Sequence, residues 1–255
     1  MYRKIRDWAY RYPALGVLIG TNVCVWLIGR ALLVAELLSG SDLPAIWMRR
    51  YMELPADFHG WRVAPWTLVS YMFVHLDGLH LLFNMLWLLF FGTLLRHVVS
   101  WRGIMASYLC GGIAGGVCYM ASGGVTGHLV GASAAVAAVI ASAAVLIPSR
   151  KVMLPLFGPV NLVWIAVIVV GVDVIAVTLG DAGGNWAHAG GAVAGVGLGM
   201  LWRWVRCRYR PQLAVRSEDT PDVDEILLKI RRSGHKSLTA EERRVLFKVS
   251  KGGPI

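Results

Sequence analysis

The chain has 255 residues, of which 56% are hydrophobic and only 16% charged, with a formal net charge of +10 and a mean hydropathy of +0.59. These values fall outside the soluble globular range and put the chain in a membrane. They also exclude nucleic acid as the reason for the positive charge, because Lys and Arg sit at the ends of apolar segments and in the tail, where membrane topology explains them.

A helix needs about 20 predominantly apolar residues to span a hydrocarbon core. Six segments have that character: roughly Ala14 to Leu37, Trp66 to Leu95, Ile104 to Ser122, Val130 to Pro148, Val160 to Leu179 and Trp186 to Val205. The expected fold is an all-α polytopic membrane protein, a six-helix domain over residues 13–206 behind a cytoplasmic N-terminus at 1–12. The first segment is too long for a cleavable signal peptide and no small-x-small site closes it, so it is expected to remain as an anchor.

Orientation follows from the short connections, since cytoplasmic loops keep an excess of Lys and Arg. Arg3, Lys4, Arg6 and Arg11 precede the first span, Arg96 and Arg102 flank one connection, Arg150 and Lys151 another, and Arg203, Arg206, Arg208 and Arg210 follow the last span. The opposite loops, Thr126 to His128 and Gly180 to Asn185, have neither residue type. Both termini are therefore expected inside. The loop at 38–65 is the exception, holding Arg49, Arg50 and Arg62. Its many apolar and aromatic residues, among them Leu43, Ile46, Trp47, Phe58 and Trp61, suit either a segment lying in the headgroup interface or an ordinary folded outer loop.

Polar residues within spans are expensive and mark candidate functional positions. Around the second span these are His75, His80 and Asn84. His80 and Asn84 are four apart, which puts both on one helical face. There they would either donate to an oxyanion or make a polar contact between helices, and spacing alone favours the contact. His75 and His80, five apart with no acidic residue at helical spacing, do not form a metal site. Cys24, Cys110, Cys118 and Cys207 contain no C-x-x-C pair and are read as packing residues.

The fourth span opens with Gly131-Ala132-Ser133, where Gly131 permits close backbone approach. A serine in a membrane helix is most often a packing residue, and a histidine such as His188 in the sixth span is more often structural than catalytic. The two nevertheless share the outer end. Gly191, Gly195 and Gly199 recur every four residues below His188, forming a groove where the fourth span is expected to pack. A serine hydroxyl needs an adjacent base to become a nucleophile. Asp173, in the fifth span, is a further candidate for orienting His188 or for a polar interhelical contact.

After a linker at 207–221, residues 222–252 read as a small helical appendage, with Thr239 as N-cap and Glu242 at the third helical position. Its size is too small for a robust core of its own.

Taken together, His75-x4-His80-x3-Asn84, Gly131-Ala132-Ser133 and Ala187-His188-x2-Gly191-x3-Gly195 resemble the rhomboid family of intramembrane serine proteases, in the family's order, over about residues 10–205. Pro65-Trp66 and the long loop before it share the likeness, and the tail looks like an appendage of some bacterial rhomboids. The resemblance implies a rhomboid-like six-helix bundle in the bacterial cytoplasmic (inner) membrane. It implies that Ser133 is the nucleophile and His188 the base and general acid, a dyad without a carboxylate. His80 and Asn84 would join the Ser133 N–H on the oxyanion side. No metal or cofactor is implied, and the expected partners are the lipid bilayer, transmembrane protein substrates and an unidentified partner of the tail. Two positions depart from the family pattern. Ala134 stands where Gly usually follows the serine, adding a methyl near the oxyanion region, and Ala137 replaces an aromatic that packs against the base. The alternatives are a non-proteolytic relative that binds and escorts membrane clients, and a small transporter using Asp173 and the histidines as a proton relay.

Overall fold

The computed structural model describes residues 12–122, 127–154, 158–178, 182–214 and 223–250. It is mostly helical and divides into two compact units, Met1–Arg203 and Trp204–Ile255. Arg3, Lys4, Arg6 and Arg11 lie outside the described residues.

Helix α1 (Pro13–Ser39) starts on a proline, whose fixed φ suits the first helical turn, and ends at Gly40 in the left-handed conformation. One narrow face is buried, through Leu15, Leu18 and Asn22, while most of its apolar surface is exposed, as expected of a helix bathed in lipid. The outer loop folds into α2 (Leu43–Met52), β1 (Leu54–Pro55) and α3 (Phe58–Val63), the last capped by Asp57, which accepts from the Gly60 N–H at 2.6 Å. Trp66 Nε1 and Ser70 Oγ donate to the Tyr51 and Met52 carbonyls and tie this loop down.

The second apolar segment is not the single helix expected from Trp66. A helical turn (Thr67–Ser70) and a 3-10 turn (Tyr71–Phe73) come first, and α4 (Gly78–Arg96) begins only after Asp77. The Asp77 carboxylate accepts from the His80 N–H at 2.8 Å, satisfying an orphan donor of the first turn and fixing the helix start. Tyr71, Met72 and Val74 are apolar because they are buried in the bundle rather than because they span it. His75 thus precedes the helix that carries His80 and Asn84.

Helix α5 (Trp101–Ala121) follows, then β2 (His128–Leu129) and α6 (Ser133–Leu146). Fourteen residues make α6 about 21 Å long, short of a hydrocarbon core of about 30 Å. Ala134 through Ala144 are all buried, so α6 is the core about which α4 and α5 pack. Strands β1 and β2 pair antiparallel, Leu54 opposite Leu129 and Pro55 opposite His128, joining the outer loop to the segment before Ser133.

A hairpin of β3 (Lys151–Leu154) and β4 (Gly158–Asn161) occupies the connection between the fourth and fifth apolar segments, where no strand was expected. Helices α7 (Leu162–Thr178) and α8 (Ala182–Ala214) complete the series. The side chain of Asp173 lies outside the described residues. Helix α8 begins before Trp186 and runs past 206, so it takes up the first part of the stretch read as linker. No Gly or Pro interrupts Trp204 to Arg210, and Arg is a good helix former. Among the described residues, α1, α4 and α5 are long and apolar enough to cross a membrane, and α6 is a shorter apolar helix.

In the second unit, α9 (Val223–Ser233) and α10 (Ala240–Ser250) flank a 3-10 turn. Thr239 and Glu242 form a reciprocal capping box: the Thr239 N–H donates to Glu242 at 2.7 Å, and the Glu242 N–H to Thr239 Oγ1 at 3.2 Å. Lys229 bridges to Glu242 at 2.8 Å and holds α9 against α10.

Candidate active site

Ser133 is the first residue of α6, and its position depends on the two residues before it. Gly131 adopts a φ of 111°, which disfavours any residue with a Cβ. Its N–H donates to the Tyr71 carbonyl at 3.0 Å. The next N–H, of Ala132, donates to His75 Nε2 at 3.2 Å. Both amides ahead of the serine are thus occupied, whereas the Ser133 N–H has no acceptor among the described residues and belongs to the set of open donors at a helix start.

His188 lies in the second turn of α8, and its Nε2 is 2.6 Å from Ser133 Oγ, both side chains being half-buried. Glycine makes that approach possible. A Cβ on Gly191 would collide with the Ala134 backbone, one on Gly195 with the Ala138 backbone, and one on Gly199 would sit 2.8 Å from Val145 Cβ. The face of α8 below His188 is therefore in backbone contact with α6. Gly115 of α5 closes the third side, since its Cβ would lie 2.6 Å from Ala134 Cβ and 2.7 Å from the Ala187 carbonyl. A buried hydroxyl chain runs across the same three helices, Ser107 donating to Ser142 at 3.2 Å and Ser142 to the Gly195 carbonyl at 3.0 Å.

The remaining candidates gather around the loop before the serine. The exposed His80 ring lies against Gly131, where a Cβ would be 2.8 Å from its Cε1. Asn84 is buried, and its amide nitrogen donates to the His80 carbonyl at 3.0 Å and lies 3.5 Å from His75 Nε2. One Asn84 N–H is thus taken by the His80 carbonyl, while the amide nitrogen's contact at 3.5 Å is with a His75 nitrogen that already accepts from the Ala132 N–H. His75, which the spacing argument considered only as a metal ligand, is 1% exposed and holds the Ala132 amide. No local signal assigns that role, because its partner is a backbone group 57 positions away.

The two departures also find places. The Ala134 methyl points into the space left by Gly115 on α5, so it fills a helix contact instead of crowding the oxyanion side. Ala137 is buried in the core of α6.

The arrangement supplies a hydroxyl within hydrogen-bonding distance of an imidazole nitrogen, an open amide at a helix start and a second imidazole close by. These are the parts that nucleophilic acyl transfer needs.

A comparison with family profiles matches residues 62–205 to the Rhomboid domain. RHOMBOID-like protein 12, mitochondrial, of Arabidopsis thaliana is 30% identical over 158 residues, which cover 55% of this chain and 46% of that protein. The chain thus aligns with a little under half the length of this relative.

Proposed function

The chain belongs to the rhomboid family, whose members are typically intramembrane serine proteases, and from that premise we propose that it is an intramembrane serine endopeptidase acting through Ser133 and His188. The observation that carries the reading is the 2.6 Å separation of His188 Nε2 from Ser133 Oγ. In the proposed reaction His188 takes the hydroxyl proton as Ser133 attacks the scissile carbonyl, and gives it to the leaving amine. Water then hydrolyses the acyl-enzyme with His188 again as base. The Ser133 N–H, the His80 ring and the Asn84 amide donate to the oxyanion, with His75 holding the loop that presents the Ser133 N–H. Substrates are membrane proteins whose transmembrane segments unwind near the outer interface, exposing a scissile carbonyl that an intact helix keeps hydrogen-bonded.

The reading extends to topology. We infer that α1, α4, α5, α7 and α8 cross the bilayer and that the shorter α6, buried among them, completes a six-helix domain at 13–206, with a shortened linker before the appendage at 222–252. The distribution of Lys and Arg supports both termini on the cytoplasmic side, and the likeness of the tail to an appendage of some bacterial rhomboids supports a bacterial inner membrane.

The test is labelling by a serine-directed fluorophosphonate, alongside cleavage of a model transmembrane substrate. Wild type is expected to label and cleave, while Ser133→Ala and His188→Ala do neither. Label retained by Ser133→Ala would assign the reactive hydroxyl to another residue, and no label on folded wild type that still binds the substrate would instead favour an escort of membrane clients.

A further inference from the structure

The outer loop holds charges that topology leaves unexplained, since Arg is depleted on that side of the membrane. Arg49 and Arg50 of α2, Glu36 near the end of α1 and Asp42 ahead of α2 all line one cavity of about 660 Å³. That is within the range of small-molecule sites, roughly 300–1,000 Å³. The two guanidinium groups and two carboxylates cancel in net charge. Among the described residues no salt bridge joins these four to one another. Arg49 also faces the Glu53 carboxyl, whose pKa burial raises and the charges of His128 and Arg49 lower in part.

Fixed charges of both signs around one space select a ligand that itself carries both. Arginine forks match phosphate oxygens, and carboxylates accept hydrogen bonds from a primary ammonium. A quaternary ammonium instead calls for aromatic faces, and no Trp, Tyr or Phe is found among the described lining residues. The cavity opens beside the outer end of α1, where Leu33, Leu37 and Leu38 are exposed, 85% in the case of Leu38. A smaller adjoining cavity of about 170 Å³ shares Glu36 and Arg49 and adds Leu32, Leu33 and Leu76 beside Arg30 and Glu53. The ligand therefore has a zwitterionic head and apolar chains.

We propose that this cavity binds the headgroup of a glycerophospholipid bearing a phosphate and a primary ammonium, its chains lying along the outer end of α1. Pro55 and His128 line the same cavity and pair with each other across β1 and β2. The bound headgroup braces the strand pair that leads into the loop before Ser133.

The full chain, purified in non-ionic detergent and stripped of lipid, would be offered an equal mixture of dioleoyl phosphatidylethanolamine, phosphatidylcholine and phosphatidylglycerol, with the retained lipid counted by native mass spectrometry. Phosphatidylethanolamine is expected to be retained about fivefold over either competitor. The double variant Glu36→Gln/Asp42→Asn should lose that preference but not retention of phosphatidylglycerol, and Arg49→Gln/Arg50→Gln should weaken retention of both. Equal retention of the three lipids by wild type overturns the proposal, whether or not the variants fold. So does a preference that survives the carboxylate variant, or displacement by soluble glycerophosphoethanolamine at equal concentration, which marks a head-only site. Retention is read without any cleavage, so failure of the protease reading leaves this outcome unaffected.

Discussion

Gly131 shows how much of the candidate site hangs on one backbone angle. Its φ of 111° and the His80 ring 2.8 Å from where a Cβ would sit leave no room for a side chain. Residues forced into sparsely populated backbone regions cost about 1–3 kcal/mol. Gly131→Ala is expected to lower stability by about that amount and to reduce fluorophosphonate labelling at least tenfold, because the loop must shift the Ser133 amide to relieve the clash. Wild-type labelling in that variant would show that the loop geometry is not needed. Glu53 provides a second test at this scale. Burial pushes its carboxyl up, partly offset by the charges of His128 and Arg49. A folded-state value above the unfolded one means that the fold holds this proton more tightly. The stability it contributes is full below the ordinary glutamate value of about 4.3 and is lost as pH rises through the raised value. The melting temperature of wild type in detergent should therefore fall relative to Glu53→Gln as pH rises above the ordinary glutamate value of about 4.3. Parallel curves for the two proteins would rule this out. Ser133, His188, His80 and Asn84 could be picked out by residue type, since polar groups in apolar segments are conspicuous. The function of His75 could not, because a backbone amide partner leaves no mark on the sequence.

At the scale of elements, the contact between α6 and α8 decides how closely the serine and the imidazole approach. Gly191 meets the Ala134 backbone, whereas a Cβ on Gly197, on the same helix, would meet nothing within 4 Å. Gly191→Ala should cost about 1–3 kcal/mol through overpacking and pull His188 away from Ser133. Gly197→Ala should be neutral or stabilising by up to about 1 kcal/mol, because Ala is the better helix former. Melting and labelling measured on both variants check the contrast, and equal effects would mean that the α6 contact does not set the geometry. The four-residue recurrence of glycine made this groove legible in advance. The start of α4 was less so: the apolar run from Trp66 reads as one span, while the Asp77 cap and the burial of Tyr71 and Met72 break it.

For the whole molecule, the division into two units matters most. All the residues gathered around Ser133 belong to the first unit, and the second has its own capping box and ion pair. Removing residues 215–255 is expected to leave labelling of Ser133 within about twofold of wild type, as for independent sites. A tenfold loss would assign the second unit a part in the site. The tail's helices were legible from the Thr239 and Glu242 pattern, which acts within a single turn. The hairpin at β3 and β4 was not, because strand pairing depends on a partner that neither strand specifies alone.

What the sequence determined by itself is therefore local. Composition put the chain in a membrane, apolar runs marked the segments, and the polar residues within them marked where chemistry was to be sought. Tertiary structure alone decided which of these meet. Ser133 and His188 lie 55 positions apart and approach to 2.6 Å. His75 reaches the Ala132 amide, and β1 reaches β2, in the same way. The physical reason is one of range: capping, periodicity and hydropathy act over a turn or a span, whereas these contacts exist only once glycine-lined helices have packed to backbone distance.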